Sequence, residues 1–257
     1  MRYFIRLSFL GTRYSGWQIQ QNAPSVQAQV TRALSLLLRE SISVVGAGRT
    51  DSGVHALNYV AHFDAKSDIT KNATEWCYKL NAILPSDISV SAVTPVPEGA
   101  HARFDALSRT YLYCIHGYKN PFIEPFSTFC PLALDIDEMN SAASLLLGTH
   151  DFSSFSKLHG GSKTNICTVH QAFWSKQESC VHNMATEGHL VFTISANRFL
   201  RNMVRAIVGT LIEAGRGKIP PKEICRILEK KERNAAGASV PAQGLYLYKI
   251  AYPYTVY

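Results

Sequence analysis

The sequence predicts an α+β fold: two α/β domains, each built on a largely antiparallel sheet. Three observations carry this. The chain has 257 residues, 46% of them hydrophobic, enough to bury a sizeable core as one large domain or two small ones. Segments with period-two apolar patterning recur along the whole length, interleaved with stretches of helical period. Strands and helices do not alternate strictly as βαβ units, which argues against a purely parallel sheet.

The elements follow in order. Residues 2 to 10 read as a strand, with Tyr3, Ile5, Leu7 and Phe9 on one face. The segment from Gly11 to Trp17 is a loop. A helix runs from about Pro24 to Arg39 on a stripe of Val26, Val30, Leu34, Leu37 and Leu38, with Pro24 suited to its first turn. Ser41 to Val45 is a short strand and Leu57 to Phe63 another. A helix around Ala73 to Ile83 stops before Pro85, and Ile88 to Val93 is extended.

In the second half, Arg109 to His116 is a strand. Thr110, Leu112 and Cys114 lie on one face, Tyr111, Tyr113 and Ile115 on the other. Asp135 or Asp137 caps a helix that ends near Gly148. Strands follow at about Thr168 to Trp174 and Leu190 to Ser195. A long helix runs from about Arg198 to Ala214 and stops at Gly215. Another begins near Pro220 and Pro221, and a last strand spans about Leu245 to Tyr252. The boundary falls near residues 103 to 108, which gives domains of 1–105 and 106–257. No sequence repeat relates the halves.

Lys and Arg number 26 against 19 Asp and Glu, a net charge of +7. That excess suits a polyanionic partner such as nucleic acid, and equally a merely basic protein. The six cysteines are Cys77, Cys114, Cys130, Cys167, Cys180 and Cys225. None forms a C-x-x-C pair, so they read as reduced thiols and not as a disulfide framework. Arg6 interrupts the apolar N-terminus, which excludes a signal peptide, and no stretch has the uniform apolarity of a membrane span. A soluble cytoplasmic protein is the expectation.

The stretch GAGRTDSGVH, residues 46 to 55, concentrates polar side chains between glycines. Gly46 and Gly48 allow positive φ, and Asp51-Ser52-Gly53 can close a turn. The glycine spacing is not that of a dinucleotide site, and no lysine follows as a phosphate loop requires. Ser52 and His55 raise the possibility of a hydrolase, but no G-x-S-x-G elbow surrounds them. Arg49 and Asp51 stand at i, i+2, which on an extended bend projects both to the same side. A guanidinium favours the ionised form of a nearby carboxylate, and an ionised carboxylate can attack an electrophilic carbon. The arginine can hold a phosphate. Spacing alone permits this chemistry without distinguishing it from a structural pair.

The wider pattern is more specific. GAGRTDSGVHA at 46 to 56 resembles the active-site motif of the TruA family of tRNA pseudouridine synthases. YSGWQIQ at 14 to 20, ARFDALSRTYLY at 102 to 113, GTHDFSSF at 148 to 155, FLRNMVRAIVGTLIEAG at 199 to 215 and VPAQGLYL at 240 to 247 resemble its other motifs, in the family's order. The resemblance implies an isomerase that converts uridine to pseudouridine in the anticodon stem-loop of tRNA. It implies a homodimer with neither cofactor nor metal, and two domains whose sheets join around a central basic cleft.

The same resemblance assigns roles. Asp51 matches the catalytic aspartate, which attacks either ribose C1′ or base C6. Tyr111 matches an active-site tyrosine whose ring can stack on uracil and whose hydroxyl can help remove the C5 proton. Arg205 matches the arginine that pairs with the aspartate. On the expected helix, Arg198, Arg201, Asn202 and Arg205 share one face. Arg49 matches a residue that helps extrude the target nucleotide. Thr50, Arg201 and Leu245 fall on motif positions expected to contact substrate, Leu245 as part of a uracil pocket. Cys167 stands where the family usually carries arginine, which puts contacts near 167 in doubt, and Val240 replaces a commoner alanine. The alternatives are a non-catalytic RNA-binding module or tRNA chaperone, which does not require Asp51, Tyr111 and Arg205 together, and a hydrolase, which predicts indifference to Asp51→Asn.

Overall fold

The computed structural model describes residues 1–69, 73–157, 164–177 and 189–254; Cys180 lies outside them. In chain order the elements are β1 (Arg2–Phe9), α1 (Val26–Leu38), β2 (Val44–Gly46), β3 (His55–Asp64), α2 (Ala73–Ile83), β4 (Ile88–Val96), β5 (Ser108–His116) and β6 (Thr128–Phe129). There follow α3 (Ile136–Ser144), β7 (Gly148–Asp151), β8 (Ile166–Gln177), β9 (His189–Ala196), α4 (Met203–Gly215), α5 (Glu223–Lys230) and β10 (Leu245–Ala251). Mixed α and β with mostly antiparallel pairing is the class the sequence predicts.

Contacts group the chain into two compact units, Met1–Leu107 with Tyr246–Tyr257, and Ser108–Leu245. In the first, strands run in the order β4-β1-β3-β10, and β2 pairs with β3. β1 is antiparallel to both β3 and β4. Tyr3, Phe4, Ile5, Leu7 and Phe9 of β1 are all buried, as are Val26, Val30 and Leu34 of α1. α1 starts at Val26, two residues after Pro24, because Ser25 stays extended and its Oγ accepts the Ala28 N–H at 3.3 Å. Such a cap contributes about 1 kcal/mol. Where the sequence reading gave all of 106–257 to one domain, the last strand groups with the first unit. The reason is a parallel pairing of Tyr246 with His55 and Leu247 with Ala56, a long-range contact that no local pattern announces.

In the second unit the order is β5-β9-β8-β7, all antiparallel, with β6 parallel to β5. Asp135, not Asp137, caps α3, accepting the N–H groups of Asp137 and Glu138 at 2.9 and 3.0 Å. α3 ends at Ser144, short of the expected Gly148, which instead opens β7. α4 begins at Met203, five residues after the expected Arg198, since Asn202 takes a left-handed φ of 66°. Among the described residues no helix is long and apolar enough to cross a membrane.

Candidate active site

β2 and β3 form an antiparallel pair in register from Val44↔Phe63 to Gly46↔Ala61. Residues 47 to 54 connect them. The connection carries Arg49, Thr50 and Asp51, and it is braced on all sides. Ala47 N–H donates to Val60 O at 2.9 Å. The Tyr59 hydroxyl donates to Gly48 O and accepts the Gly48 N–H. Trp17 N–H donates to Thr50 Oγ1 at 3.0 Å, and Gly53 N–H and Ser52 Oγ both donate to Tyr14 O at 3.3 Å. Val54 N–H closes the turn onto Asp51 O at 3.2 Å.

The loop from Gly11 to Trp17 is therefore the second half of this site. Tyr14 Oη donates to Asp87 at 2.7 Å, and burial, then Asp87, raises its phenol well above the usual range. Trp17 stacks on Tyr59 with centroids 4.1 Å apart. A Cβ at Gly46 would overlap both Tyr59 Oη and Trp17 Nε1. Gly46 is thus small because two aromatics approach it. Neither Gly46 nor Gly48 takes the positive φ that the sequence reading gave them; Gly53 does, at 80°.

Burial varies along the loop, which bends at residues 47–48 and turns at Ser52 and Gly53. Thr50 is only 9% exposed and points inward, whereas Arg49 is exposed and Asp51 half-buried. Arg49 and Asp51 thus both stay at least partly open to solvent, with the buried Thr50 between them. Ser52 and His55 are placed for structure. His55 is buried, and its Nδ1 accepts the Gly11 N–H at 2.9 Å while its ring packs on Tyr246. An imidazole whose Nδ1 is committed to a backbone amide and a serine bonded to a carbonyl do not make a hydrolase pair.

The second unit holds Tyr111, Arg201, Arg205 and Leu245. Tyr111 sits mid-strand on β5 opposite Ile194, half-buried, its ring edge-on to Phe199 at 5.1 Å. Tyr113, two residues on, is different. It is fully buried, its hydroxyl lies 2.6 Å from Thr128 Oγ1 and donates to Pro241 O at 2.9 Å, and burial raises its phenol far above the usual range. Leu245 is buried at the start of β10.

Arg205 lies in the first turn of α4. Its Nε donates to Val240 O at 2.7 Å, and Val240 N–H donates back to Arg205 O at 3.2 Å. Segment 237–240 runs against α4 because Gly209 has no side chain: a Cβ there would overlap Ala238 O. Gly237 N–H adds a bond to Thr210 Oγ1 at 2.9 Å. Arg233 and Asn202 both donate to Ser239 Oγ, at 2.9 and 2.6 Å. Sequence reasoning missed this clasp; its signal was the run of small residues AAGAS at 235 to 239 facing Gly209.

The basic helical face is corrected by the same geometry. Arg198, Arg201 and Asn202 precede α4, and the left-handed Asn202 breaks the helical period between them and Arg205. Arg201 is exposed, and its carbonyl accepts the Lys157 N–H at 3.0 Å. Cys167, at the position flagged as a lost arginine, is fully buried on β8 opposite His150, and burial pushes its thiol up to about 11.

The family model described as tRNA pseudouridine synthase matches residues 7–105 and 142–253, and the chain belongs to that family. The tRNA pseudouridine synthase A of Porphyromonas gingivalis is 49% identical over 98% of this chain and 97% of its own length. That of Bacteroides thetaiotaomicron is 48% identical over 100% and 92%, and that of Bacillus subtilis 38% identical over 98% and 99%.

Proposed function

We propose that the protein isomerises uridine to pseudouridine in the anticodon stem-loop of tRNA, with Asp51 as nucleophile. The observation that carries this reading is the Asp51 loop: a rigid backbone presents one half-buried carboxylate beside an exposed arginine, within a family named for this reaction. Asp51 attacks C1′ or C6, the N1–C1′ bond breaks, and the freed uracil turns. C5 then bonds to C1′, the bond to Asp51 breaks and frees the carboxylate, C5 loses its proton and N1 gains one, so no atom is added or removed. An intramolecular rearrangement of this kind needs a base held while it rotates, and no external energy.

The remaining roles follow the chemistry. Tyr111, which lies between the two matched stretches, is assigned the stack on uracil and a part in C5 deprotonation. Arg205, its Nε fixed on Val240 O, is assigned the arginine role that the family's motif gives its position. Arg49 grips the phosphate of the extruded nucleotide, offsetting part of the few kcal/mol that unstacking costs. Thr50 shapes the loop through Trp17. Leu245 lines the uracil pocket, and Arg201 adds charge for the backbone. The working form is a homodimer in the cytoplasm.

The test is release of tritium from tRNA transcripts carrying 5-tritiated uridine, which reports loss of the C5 hydrogen. The wild type should release it and Asp51→Asn should not. Release by Asp51→Asn at the wild-type rate would remove Asp51 from the mechanism.

A further inference from the structure

Phe104 is a large apolar residue of the first unit outside the loops described above, and it is 75% exposed. Single exposed apolar residues are ordinary, but this one sits on backbone that is locked at nearly every residue. His101 N–H donates to Asp105 Oδ2 at 2.7 Å, and Asp105 N–H returns to His101 O at 3.1 Å. His101 Nδ1 accepts the N–H groups of both Arg103 and Phe104, at 3.1 and 3.3 Å. Ala102 is held at both ends, its N–H on the buried His62 Nδ1 at 3.1 Å and its carbonyl on Tyr252 Oη at 2.6 Å. Tyr254 Oη completes the set by donating to Asp105 Oδ2 at 2.8 Å.

The ring is supported as well as the backbone. His101 lies against it with centroids 4.2 Å apart and planes 33° from parallel, and His62 packs edge-on beneath His101 at 4.6 Å. The Arg103 guanidinium stands 5.7 Å from the ring centroid. A large aromatic therefore faces solvent in a fixed orientation, packed against His101, with a cation over the ring at 5.7 Å that a ligand's anion can draw toward itself. A planar, electron-poor partner attached to an anion matches that arrangement. A nucleobase on its phosphodiester has this chemistry, and stacking on an aromatic is sequence-tolerant because every base presents a π face. Pre-ordering of the ring lowers the entropy lost on binding.

We propose that Phe104, backed by His101 and flanked by Arg103, is a stacking platform for an unpaired base of the bound tRNA, separate from the Asp51 loop. This rests on the tRNA reading above and adds a specific contact to it.

The test compares wild type, Phe104→Ala, Phe104→Leu and Phe104→Trp, with unmodified tRNA transcripts as probe. Affinity, its salt dependence, pseudouridine formation at saturating tRNA and sedimentation are all measured. Phe104→Ala and Phe104→Leu should weaken binding about five- to a hundredfold, and Phe104→Trp should retain it. Stacking releases no counterions, so the slope of log affinity against log salt should be the same in all four. Turnover at saturation should be unchanged. Wild-type affinity in Phe104→Leu would reduce the site to an apolar contact and overturn the proposal. So would a change of sedimentation in Phe104→Ala, which would mean that a second copy covers the ring. If the wild type itself neither binds tRNA nor forms pseudouridine, the tRNA reading fails first. If it does both and Phe104→Ala binds equally well, only the platform falls.

Discussion

The loop around Asp51 and the segment entering α4 both carry arginines that the sequence sets in suggestive spacing, yet they are built in opposite ways. The Asp51 loop is a connection between two paired strands, and its braces come from an adjacent loop and from β3. The approach to α4 is held by side chains reaching to residues 239 and 240, far along the chain. The first is a bend followed by a turn, in which Arg49 and Asp51 stay partly exposed on either side of the buried Thr50. The second loses the helical period expected of it at one left-handed asparagine. Spacing along the chain defines a shared face only where the backbone stays in one regular state, and a single residue that changes state ends it.

That contrast can be pressed by paired tyrosines on β5. Tyr111→Phe removes a hydroxyl from a half-buried ring that packs edge-on to Phe199. Turnover should fall about a hundredfold or more, with thermal stability within about 0.5 kcal/mol of wild type. Steady-state kinetics on tRNA with a parallel melting curve separates the two quantities. Tyr113→Phe should do the reverse: it leaves Thr128 Oγ1 and Pro241 O short of a partner and should destabilise by about 1–2 kcal/mol with turnover nearly intact.

His62, which pairs with Val45 of β2, gives a pH-dependent prediction. Burial, with smaller effects from Arg2 and His101, holds its pKa near 4 against an ordinary 6.5. Between those values the unfolded chain takes up a proton that the folded chain does not. Stability is therefore full above about pH 6.5 and falls as the pH drops toward 4, by on the order of 2 kcal/mol. Asp64, held down by Arg2, pulls in the same direction. Denaturant melts across this range should show the slope, and His62→Gln should flatten it.

Gly46→Ala probes the loop itself. The added methyl overlaps Tyr59 Oη and Trp17 Nε1, so the loop must shift, costing about 1–3 kcal/mol. Tyr59→Phe is gentler: the ring still fills its place while both bonds to Gly48 are lost. It should lower kcat roughly tenfold, about 1.4 kcal/mol in the barrier, and leave KM for tRNA near wild type. An equal fall in affinity would mean that the loop positions RNA and not only Asp51.

Much of the first unit was legible beforehand. β1 reads directly from Tyr3, Ile5, Leu7 and Phe9, and α2 falls at Ala73–Ile83 as the period and Pro85 require. Asp51 stood out because its neighbours are unusual in a short window. What stayed hidden depends on distant partners. The role of Gly46 is set by Tyr59 and Trp17, which no window around residue 46 contains both of. Likewise the short β6 exists only because β5 offers it an edge, and β10 joins the first unit by pairing with β3. Tyr111 and Tyr113 share a strand and a residue type, and only the partners of Tyr113 tell them apart.

The account stands or falls on Asp51, and the most direct measurement maps pseudouridine by chemical labelling in unmodified tRNA transcripts after incubation with wild type and with Asp51→Asn, tRNA affinity being measured alongside. The expected result is product in the anticodon stem-loop from wild type, at least about a thousandfold less from Asp51→Asn, and similar affinity in both. Pseudouridine from Asp51→Asn at a comparable rate, or none from a wild type that binds tRNA, would contradict it.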